Sequence, residues 1–416
     1  MPWPRARSRR FASALLASLL LARAAPVRAD APAPSPAPVP SPAPSPSPAS
    51  PPSPDSPAEG VPERARLQAT VAYLAGEELA GRGSSDDRER ASQWVADAFD
   101  QVGAKPVPGV VGRFVPFPAK EGRPGGRNVV GWIPGRKDAE YVIVSAHFDH
   151  LGRVDGKVHP GADDNASGVA ALLEIGRCLA SGFRLERGVL LVAFDLEEQR
   201  MIGSRAFVAA PPMPLDRCAA FVTIDMLGRS IGDLFPGLLL AMGAERADAL
   251  EAVLTAAKPA PGVTLRELGM DFNQLGWSDY VPFEERSIPC LFFTSGACRD
   301  YHRPTDTADR IDGAALEART RAILGYVRAL AELPARPVWK PAPAPRLREV
   351  ETIHALVSKV GEKEAELGMT DGQRLLRKGF EKTLAETIAR GAVTPGERVA
   401  IRIMALQMMK AASTFR

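Results

Sequence analysis

The sequence has little net charge and few cysteines. Its 416 residues carry a formal net charge of only +3, and much of the basic excess lies at the extreme N-terminus. A charge this small and this localised gives no reason to expect a nucleic acid partner. The four cysteines, Cys178, Cys218, Cys290 and Cys298, have spacings that fit no cysteine-based zinc site. We interpret them as structural; their even number permits a disulfide, with Cys290 and Cys298 the closest pair, but does not establish one.

The N-terminal apolar run is too short to cross a bilayer comfortably. It spans about a dozen residues, follows a basic stretch and ends in small residues. This pattern is typical of a secretory signal peptide over residues 1–29, and it predicts export to the periplasm or out of the cell. A retained anchor is the alternative, although no cysteine near Ala29 would support a lipid anchor. No stable membrane insertion is expected after cleavage.

Composition divides the remaining chain into three parts. Residues 30–58 repeat alanine, proline and serine, which predicts a disordered linker because such a segment cannot build a core. A globular pattern occupies residues 61–335. After a second proline-rich break, residues 346–416 are charged and helix-prone, which predicts a small helical C-terminal tail of unknown role.

Strand-like and helical segments alternate within the globular part. Uninterrupted apolar runs at 141–146, 189–194, 221–224, 238–242 and 290–293 predict buried strands. The predicted helices cover 62–80, 88–102, 166–181, 203–210, 245–257, 277–285 and 312–333. This alternation predicts an α/β three-layer sandwich, with a mixed, mainly parallel central sheet flanked by helices.

Acidic residues and histidines follow four of the predicted strands. In open α/β sheets, functional groups gather in the loops beyond the carboxyl ends of the strands. The residues concerned are His147 and Asp149 after the first strand, Glu197 and Glu198 after the second, Asp225 after the third, and His302 beyond the last. The loop that precedes the helix at 166–181 adds Asp163 and Asp164.

Each of these signals is weak alone, but together they predict a metal centre. A pair of adjacent glutamates, for example, is usually the solvated start of a helix. Clustered carboxylates repel one another unless a cation compensates them. Two histidines with several carboxylates suit zinc and exceed what one tetrahedral ion needs, so two ions sharing a carboxylate would use them all. One glutamate could then bind a metal while its neighbour moves a proton.

The order of these motifs resembles that of the secreted bacterial di-zinc aminopeptidases. The segments HFDHLG, HPGADDNASG, FDLEE, TIDMLGR, SDYVPF and YHRPTDT lie between about residues 66 and 333. The resemblance implies a zinc-exopeptidase-like fold, which glutamate carboxypeptidase II and the glutaminyl cyclases share. It also implies an enzyme that hydrolyses peptides with two Zn²⁺ as cofactors.

The resemblance also implies a role for each matching residue. His147 and Asp225 would hold one zinc ion, Glu198 and His302 would hold the other, and Asp164 would bridge them. Glu197 would act as general base, Asp149 would orient His147, and Tyr301 would stabilise the oxyanion. The Asp164–Asn165 peptide bond becomes a candidate for the cis form.

Other polar residues near the motifs receive structural interpretations. These are His150 and His159 as hydrogen-bonding residues of turns, Asp163 as a loop brace, Asp195 at a strand end, and Asp279 at a helix start or pocket wall. Arg200 stands where the resembling family commonly has glycine, which questions the local loop shape and pocket but leaves the ligands unchanged.

The function favoured by the sequence is a zinc-dependent exopeptidase that removes N-terminal residues from peptides, with metal-activated water and a glutamate base. A carboxypeptidase or dipeptidase on the same site stays open, because Arg200, Arg229 and Arg303 could hold a substrate carboxylate. A glutaminyl cyclase is disfavoured, because the complete ligand set favours two metals. A catalytically inactive, partner-binding relative is also an alternative, although such proteins lose ligands and here every ligand position is filled. Side-chain preference and oligomeric state do not follow from the sequence.

Overall fold

The computed structural model describes residues 60–120, 122–257, 260–273, 278–341 and 343–412. The strands are β1 Phe114–Phe117, β2 Gly126–Ile133, β3 Lys137–His147, β4 Gly152–Val154, β5 Lys157–His159, β6 Arg187–Phe194, β7 Cys218–Ile224, β8 Leu238–Met242, β9 Thr264–Leu268 and β10 Cys290–Thr294. The helices are α1 Arg64–Leu74, α2 Ser85–Gln101, α3 Gly168–Ala180, α4 Ile202–Ala209, α5 Asp248–Ala256, α6 Val281–Glu284, α7 Gly313–Ala331, α8 Leu347–Glu362, α9 Asp371–Arg390 and α10 Pro395–Ala412. The predicted signal peptide and linker, residues 1–29 and 30–58, lie outside the described residues.

Four parallel strands form the centre of an eight-stranded sheet with the order β1–β2–β6–β3–β7–β10–β8–β9. Strands β6, β3, β7 and β10 are neighbours and pair in parallel. The outer pairs β1–β2, β2–β6 and β8–β10 are antiparallel, whereas β8 and β9 are parallel. The predicted mixed, mainly parallel sheet is therefore confirmed. The four strands that precede the acidic and histidine residues lie side by side, with their carboxyl ends at one edge.

Alternate residues of the central strands pack into two hydrophobic layers. Val142 and Val144 of β3 belong to one layer, and Tyr141 and Ile143 belong to the other, as the two-residue period of a strand requires. Helices α1, α2, α3, α5 and α7 cover the first face, and α4, α6, α8, α9 and α10 contribute to the second. The predicted three-layer sandwich is confirmed. The helix expected over 277–285 is only the turn α6, because Pro282 has no N–H with which to extend the helix toward its N-terminus.

The C-terminal residues are helical, as predicted, and they pack onto the second face of the sheet. Val350 of α8, Phe380 of α9 and Ile401 of α10 share one hydrophobic cluster with Phe221 of β7. Ion pairs join α10 to the segment after β9: the carboxylate of Asp271 lies 2.7 Å from the guanidinium groups of both Arg398 and Arg402. The three C-terminal helices therefore help to cover the central sheet.

Glu245, in the turn after β8, is a buried carboxylate at this junction. Its Oε1 accepts the N–H of Met270 at 2.7 Å, whereas its Oε2 has no hydrogen bond. The closest cation is the guanidinium of Arg346, 3.7 Å away. Burial raises the pKa of Glu245 from its ordinary value of 4.5 to about 7.

We expect Glu245→Gln to change how stability depends on pH. A carboxyl group whose pKa is raised by folding stabilises the folded state in its protonated form, so this contribution is complete below pH 4.5 and is lost as the pH rises through 7. Between pH 4.5 and 8, the free energy of unfolding should therefore fall by about 3 kcal/mol more in the wild type than in Glu245→Gln. Chemical denaturation at several pH values measures this difference. Glu251→Gln, at a half-exposed glutamate of α5, is the control, and parallel profiles for Glu245→Gln and the wild type would contradict the prediction.

Candidate metal centre

The predicted ligands meet at the carboxyl ends of the four central strands. Two groups of donors form there: His147, Asp164 and Asp225 in one, and His150, Asp164, Glu198 and His302 in the other. Within each group the ligand atoms all lie within 4.8 Å of one another, which is close enough to surround one metal ion. The structure thus brings all five sequence-predicted ligands together and adds His150 to the second group.

Asp164 belongs to both groups, and its two oxygens face different histidines. Its Oδ1 lies 3.4 Å from Nε2 of His147, and its Oδ2 lies 3.1 Å from Nε2 of His302. Nε2 of His147 also lies 3.3 Å from Oδ1 of Asp225, while Nε2 of His302 lies 3.2 Å from Oε2 of Glu198. This arrangement suits a carboxylate that bridges two ions.

Hydrogen bonds from neighbouring elements fix the loop that carries Asp164. The carboxylate of Asp306 accepts the backbone N–H groups of Asp163 and Asp164 at 3.0–3.2 Å. The side chain of Asn165 donates to the carbonyl of Ile224 in β7 and accepts from Gly168 at the start of α3, both at 2.9 Å. The Asp164–Asn165 peptide bond is cis, as the resemblance led us to expect. Both strand and helix therefore hold the bridging residue in place.

Asp149 connects the loops after β3 and β6. Its Oδ1 accepts the backbone N–H of Glu197 at 2.9 Å and lies 3.6 Å from Nδ1 of His147. Its Oδ2 accepts the N–H of Glu198 at 3.3 Å. Nδ1 of His147 lies closer, at 3.2 Å, to the backbone carbonyl of Asp149, and the carboxylate of Asp149 fixes the backbone of both glutamates.

The centre contains more negative than positive charge. Burial would lower the pKa of His302, but hydrogen bonding to Asp164 and Glu198 outweighs it and raises the pKa to about 10. Burial raises the pKa of the neighbouring Glu197 well above its ordinary value. A buried group of carboxylates that draws protons onto nearby side chains is an environment that divalent cations would stabilise.

Arg82, which the sequence reasoning missed, clamps the loops around this centre. Its guanidinium is fully buried and donates to the carbonyls of Leu74, Phe148, Pro160 and Gly161 at 2.5–2.8 Å. Burial lowers its pKa to about 10, a shift that the charge of Asp164 and other nearby carboxylates opposes. No local pattern marks this residue, because all its partners except Leu74 are distant in sequence.

Replacing Arg82 should destabilise the fold strongly. Arg82→Met leaves four buried carbonyl groups without their donor, and each such loss costs about 1–3 kcal/mol, so we expect a total loss above about 3 kcal/mol. Arg82→Lys keeps the charge but reaches fewer carbonyls. Its free energy of unfolding should therefore lie between that of Arg82→Met and that of the wild type. Urea denaturation of the metal-free protein tests this order. Arg90→Met, at an exposed arginine of α2, is the control, and an equal effect of the two methionine variants would refute the clamp.

The remaining predicted residues lie around the centre or at its edge. The ring of Tyr301 stacks on the ring of His302, with a centroid separation of 3.9 Å. Asp279, given a structural interpretation above, is fully buried, and burial raises its pKa to about 7. His159 lies in β5, outside both donor groups, with Nδ1 3.2 Å from the carbonyl of Lys157. Arg200 adopts a φ of 66°, in the left-handed region where glycine is least strained, so the arginine occupies a glycine-like turn.

Each of the four cysteines is buried and has a free thiol. Burial raises the pKa of Cys178 to about 11 and that of Cys218 to about 12, so these thiols are held in their neutral form. They pack as small apolar side chains, in agreement with a structural interpretation.

The sequence pattern of one protein family covers the part of the chain that builds this centre. The pattern of peptidase family M28 matches residues 128–327, a span that includes both donor groups, Glu197 and Tyr301. This match confirms the resemblance stated above and the prediction of a peptide-hydrolysing enzyme. The two donor groups agree with the prediction of a metal centre for two ions.

Individual relatives extend the comparison beyond the family pattern. The uncharacterised protein YfbL of Escherichia coli is 28% identical over 281 residues, which are 59% of this chain and 82% of YfbL. The aminopeptidase YwaD of Bacillus subtilis is 28% identical over 191 residues, but the match spans only 39% of YwaD and 44% of this chain. Among solved structures, the LapA aminopeptidase of Legionella pneumophila superposes with a TM-score of 0.53 at 20% identity, over 65% of this chain and 71% of LapA. The last likeness is one of fold.

Proposed function

We propose that this protein is a zinc-dependent aminopeptidase that removes N-terminal residues from peptides. The observation that carries the proposal is the pair of donor groups joined by Asp164, with Glu197 beside them. Two similar proteins, YwaD and LapA, are aminopeptidases, which supports the same activity here.

The donor set fits zinc, because imidazole and carboxylate are its usual nitrogen and oxygen ligands. In this proposal His147 and Asp225 hold one ion, Glu198 and His302 hold the other, and Asp164 contacts both. When bound, zinc lowers the pKa of water and polarises the scissile carbonyl. The excess of buried carboxylates over cationic side chains supports a requirement for both ions.

Glu197 is the proposed general base. It follows β6, its backbone is held by Asp149, and burial raises the pKa of its carboxyl group well above 4.5. A carboxylate with a raised pKa takes a proton from the attacking water more readily, and it can return that proton to the leaving amine. Tyr301, packed against His302, would donate its hydroxyl hydrogen bond to the oxyanion. Asp149 would keep His147 and the backbone of Glu197 in position.

Charge favours a substrate with a free N-terminus over one that is held by its C-terminus. A protonated α-amine is attracted to the carboxylates around Glu197 and Asp225. A carboxypeptidase needs an available cation, and Arg229 already pairs with Asp233 at 2.7 Å and with Asp300 at 3.1 Å. The other two arginines that could hold a substrate carboxylate, Arg200 and Arg303, are exposed.

A substrate panel tests the proposed activity. The protein should hydrolyse aminoacyl 4-nitroanilides and should not hydrolyse their N-acetylated forms, because blocking removes the charge of the amine. A chelator should abolish the activity, and added Zn²⁺ should restore it. N-blocked dipeptides with a free carboxylate serve as carboxypeptidase substrates, and their preferential hydrolysis would replace the aminopeptidase proposal with the carboxypeptidase alternative.

Glu197→Gln should retain zinc and lose most turnover. The amide has nearly the same shape but cannot accept the proton, so kcat should fall by about 10²-fold to 10⁴-fold or more. Steady-state kinetics and elemental analysis measure the two properties together. Glu285→Gln, at an exposed glutamate paired with Arg205, is the matched control and should behave as the wild type. Full activity of Glu197→Gln would remove the base assignment.

We also infer that the enzyme is exported and that residues 61–335 form its peptidase domain, with residues 346–416 as a helical C-terminal segment. The basic and apolar N-terminal residues support export. In the part of the chain that the structure describes, no helix combines the length and the apolar character needed to span a bilayer.

A further inference from the structure

His150 gives the two metal positions unequal numbers of ligands. Its side chain is fully buried, and its Nδ1 lies 2.7 Å from Oε1 of Glu198 and 3.8 Å from Oδ2 of Asp164. Its ring meets the ring of His302 edge to face, with a centroid separation of 5.6 Å. Two imidazoles and two carboxylates therefore surround a single small volume.

The surrounding backbone fixes the ring of His150 in this position. The N–H of His150 donates to the carbonyl of Arg82 at 3.3 Å. On the other side, a Cβ atom on Gly161 would lie 2.5 Å from Cδ2 of His150, so only glycine leaves room for the ring. The guanidinium of Arg82 in turn holds the carbonyl of Gly161 at 2.8 Å. A side chain that is held from both sides before any ligand binds is a preorganised donor.

The nitrogen atoms of His150 have different environments. Nδ1 points into the donor group, whereas Nε2 is buried without a hydrogen-bond partner. A neutral imidazole that offers the lone pair of Nδ1 to a cation carries its proton on Nε2. No residue that the structure describes forms a hydrogen bond with Nε2 of His150, so the polar contacts of its ring lie on the side of the metal group.

We propose that His150 is a fourth protein ligand of the ion held by Asp164, Glu198 and His302, so that this ion is bound more tightly and fills first. The proposal rests on the zinc centre proposed above. Four protein donors would complete a tetrahedral set, and four is the usual number of protein ligands in a closed zinc site. Among the residues that the structure describes, the other group comprises His147, Asp164 and Asp225, and three protein ligands would leave one coordination position open for water or substrate.

Zinc titration of the full chain tests the assignment without measuring activity. The chelator-stripped protein is titrated with Zn²⁺ in competition with a chromophoric chelator. The wild type should bind two ions with unequal affinity. In His150→Asn, the tighter dissociation constant should rise by more than 100-fold, which exceeds the roughly 10-fold to 100-fold cost of losing a supporting residue. Asparagine can still donate a hydrogen bond to Glu198 but is a poor zinc ligand, so a change below 100-fold would overturn the proposal.

Two further variants assign the sites. His147→Asn should weaken the binding of the second, less tightly held ion and leave the affinity for the tighter one unchanged. His159→Asn, at a buried histidine outside both groups, should change neither affinity. If His150→Asn does not fold, the visible spectrum of wild-type protein with one equivalent of Co²⁺ decides the matter. Intense tetrahedral bands support four protein ligands, and weak five- or six-coordinate bands overturn them.

The result can be separated from the proposed function. Two ions bound with unequal affinity through His150, together with no hydrolysis of aminoacyl substrates, would contradict the aminopeptidase activity and leave the ligand assignment intact. Aminopeptidase activity, together with two equal zinc affinities that His150→Asn does not alter, would contradict the ligand assignment and leave the proposed activity intact.

Discussion

Repulsion among buried carboxylates is the constraint on which this structure depends. Several aspartates are buried at or beside one edge of the sheet, where Glu197 and Glu198 also lie; they include Asp149, Asp163, Asp164, Asp225, Asp279 and Asp306. The fully buried Arg82 lies near them, but its donors are used on backbone carbonyls, and the buried Arg319 lies near Asp163. The remaining negative charge must be balanced by protons or by metal ions. Hydrogen bonds from Asp306 and Asp149 hold the loops that carry Asp164 and Glu197 in place against this repulsion.

The parallel sheet makes this concentration of charge possible. Because β6, β3, β7 and β10 are adjacent and parallel, their carboxyl ends deliver His147, the Glu197–Glu198 pair and Asp225 to the same edge. Three residues then join the loops: Asp149 links β3 to β6, Asn165 links the bridging loop to β7, and Asp306 holds that loop from beyond β10. The strands bring these residues to the same edge of the sheet, and the hydrogen bonds then fix the distances between their ligand atoms.

The sequence was sufficient to predict the central strands and the five candidate ligands that the structure brings together, and it was less informative at the periphery. The central strands are uninterrupted apolar runs, whereas β1 contains a proline, β2 contains Asn128 and two glycines, and β9 contains Arg266 and Glu267, so none of these gave a clear pattern. The helices of residues 346–416 were predictable from periodicity, but which surface their apolar faces cover depends on distant residues. His150 and Arg82 were missed for the same reason, since their partners are brought close only by the fold.

The same charge balance connects metal binding to stability. Ions that bind the folded centre and not the unfolded chain stabilise the fold by mass action, and they also remove the carboxylate repulsion that the metal-free protein must tolerate. The hydrogen bonds of Asp149, Asn165 and Asp306 hold the donors in position before any ion arrives, so less conformational entropy is lost on binding. Holding these charged donors in place is unfavourable, and burial of the hydrophobic layers on both faces of the sheet offsets that free energy. That division explains why a centre of such high charge lies at the end of strands whose own residues are almost entirely apolar.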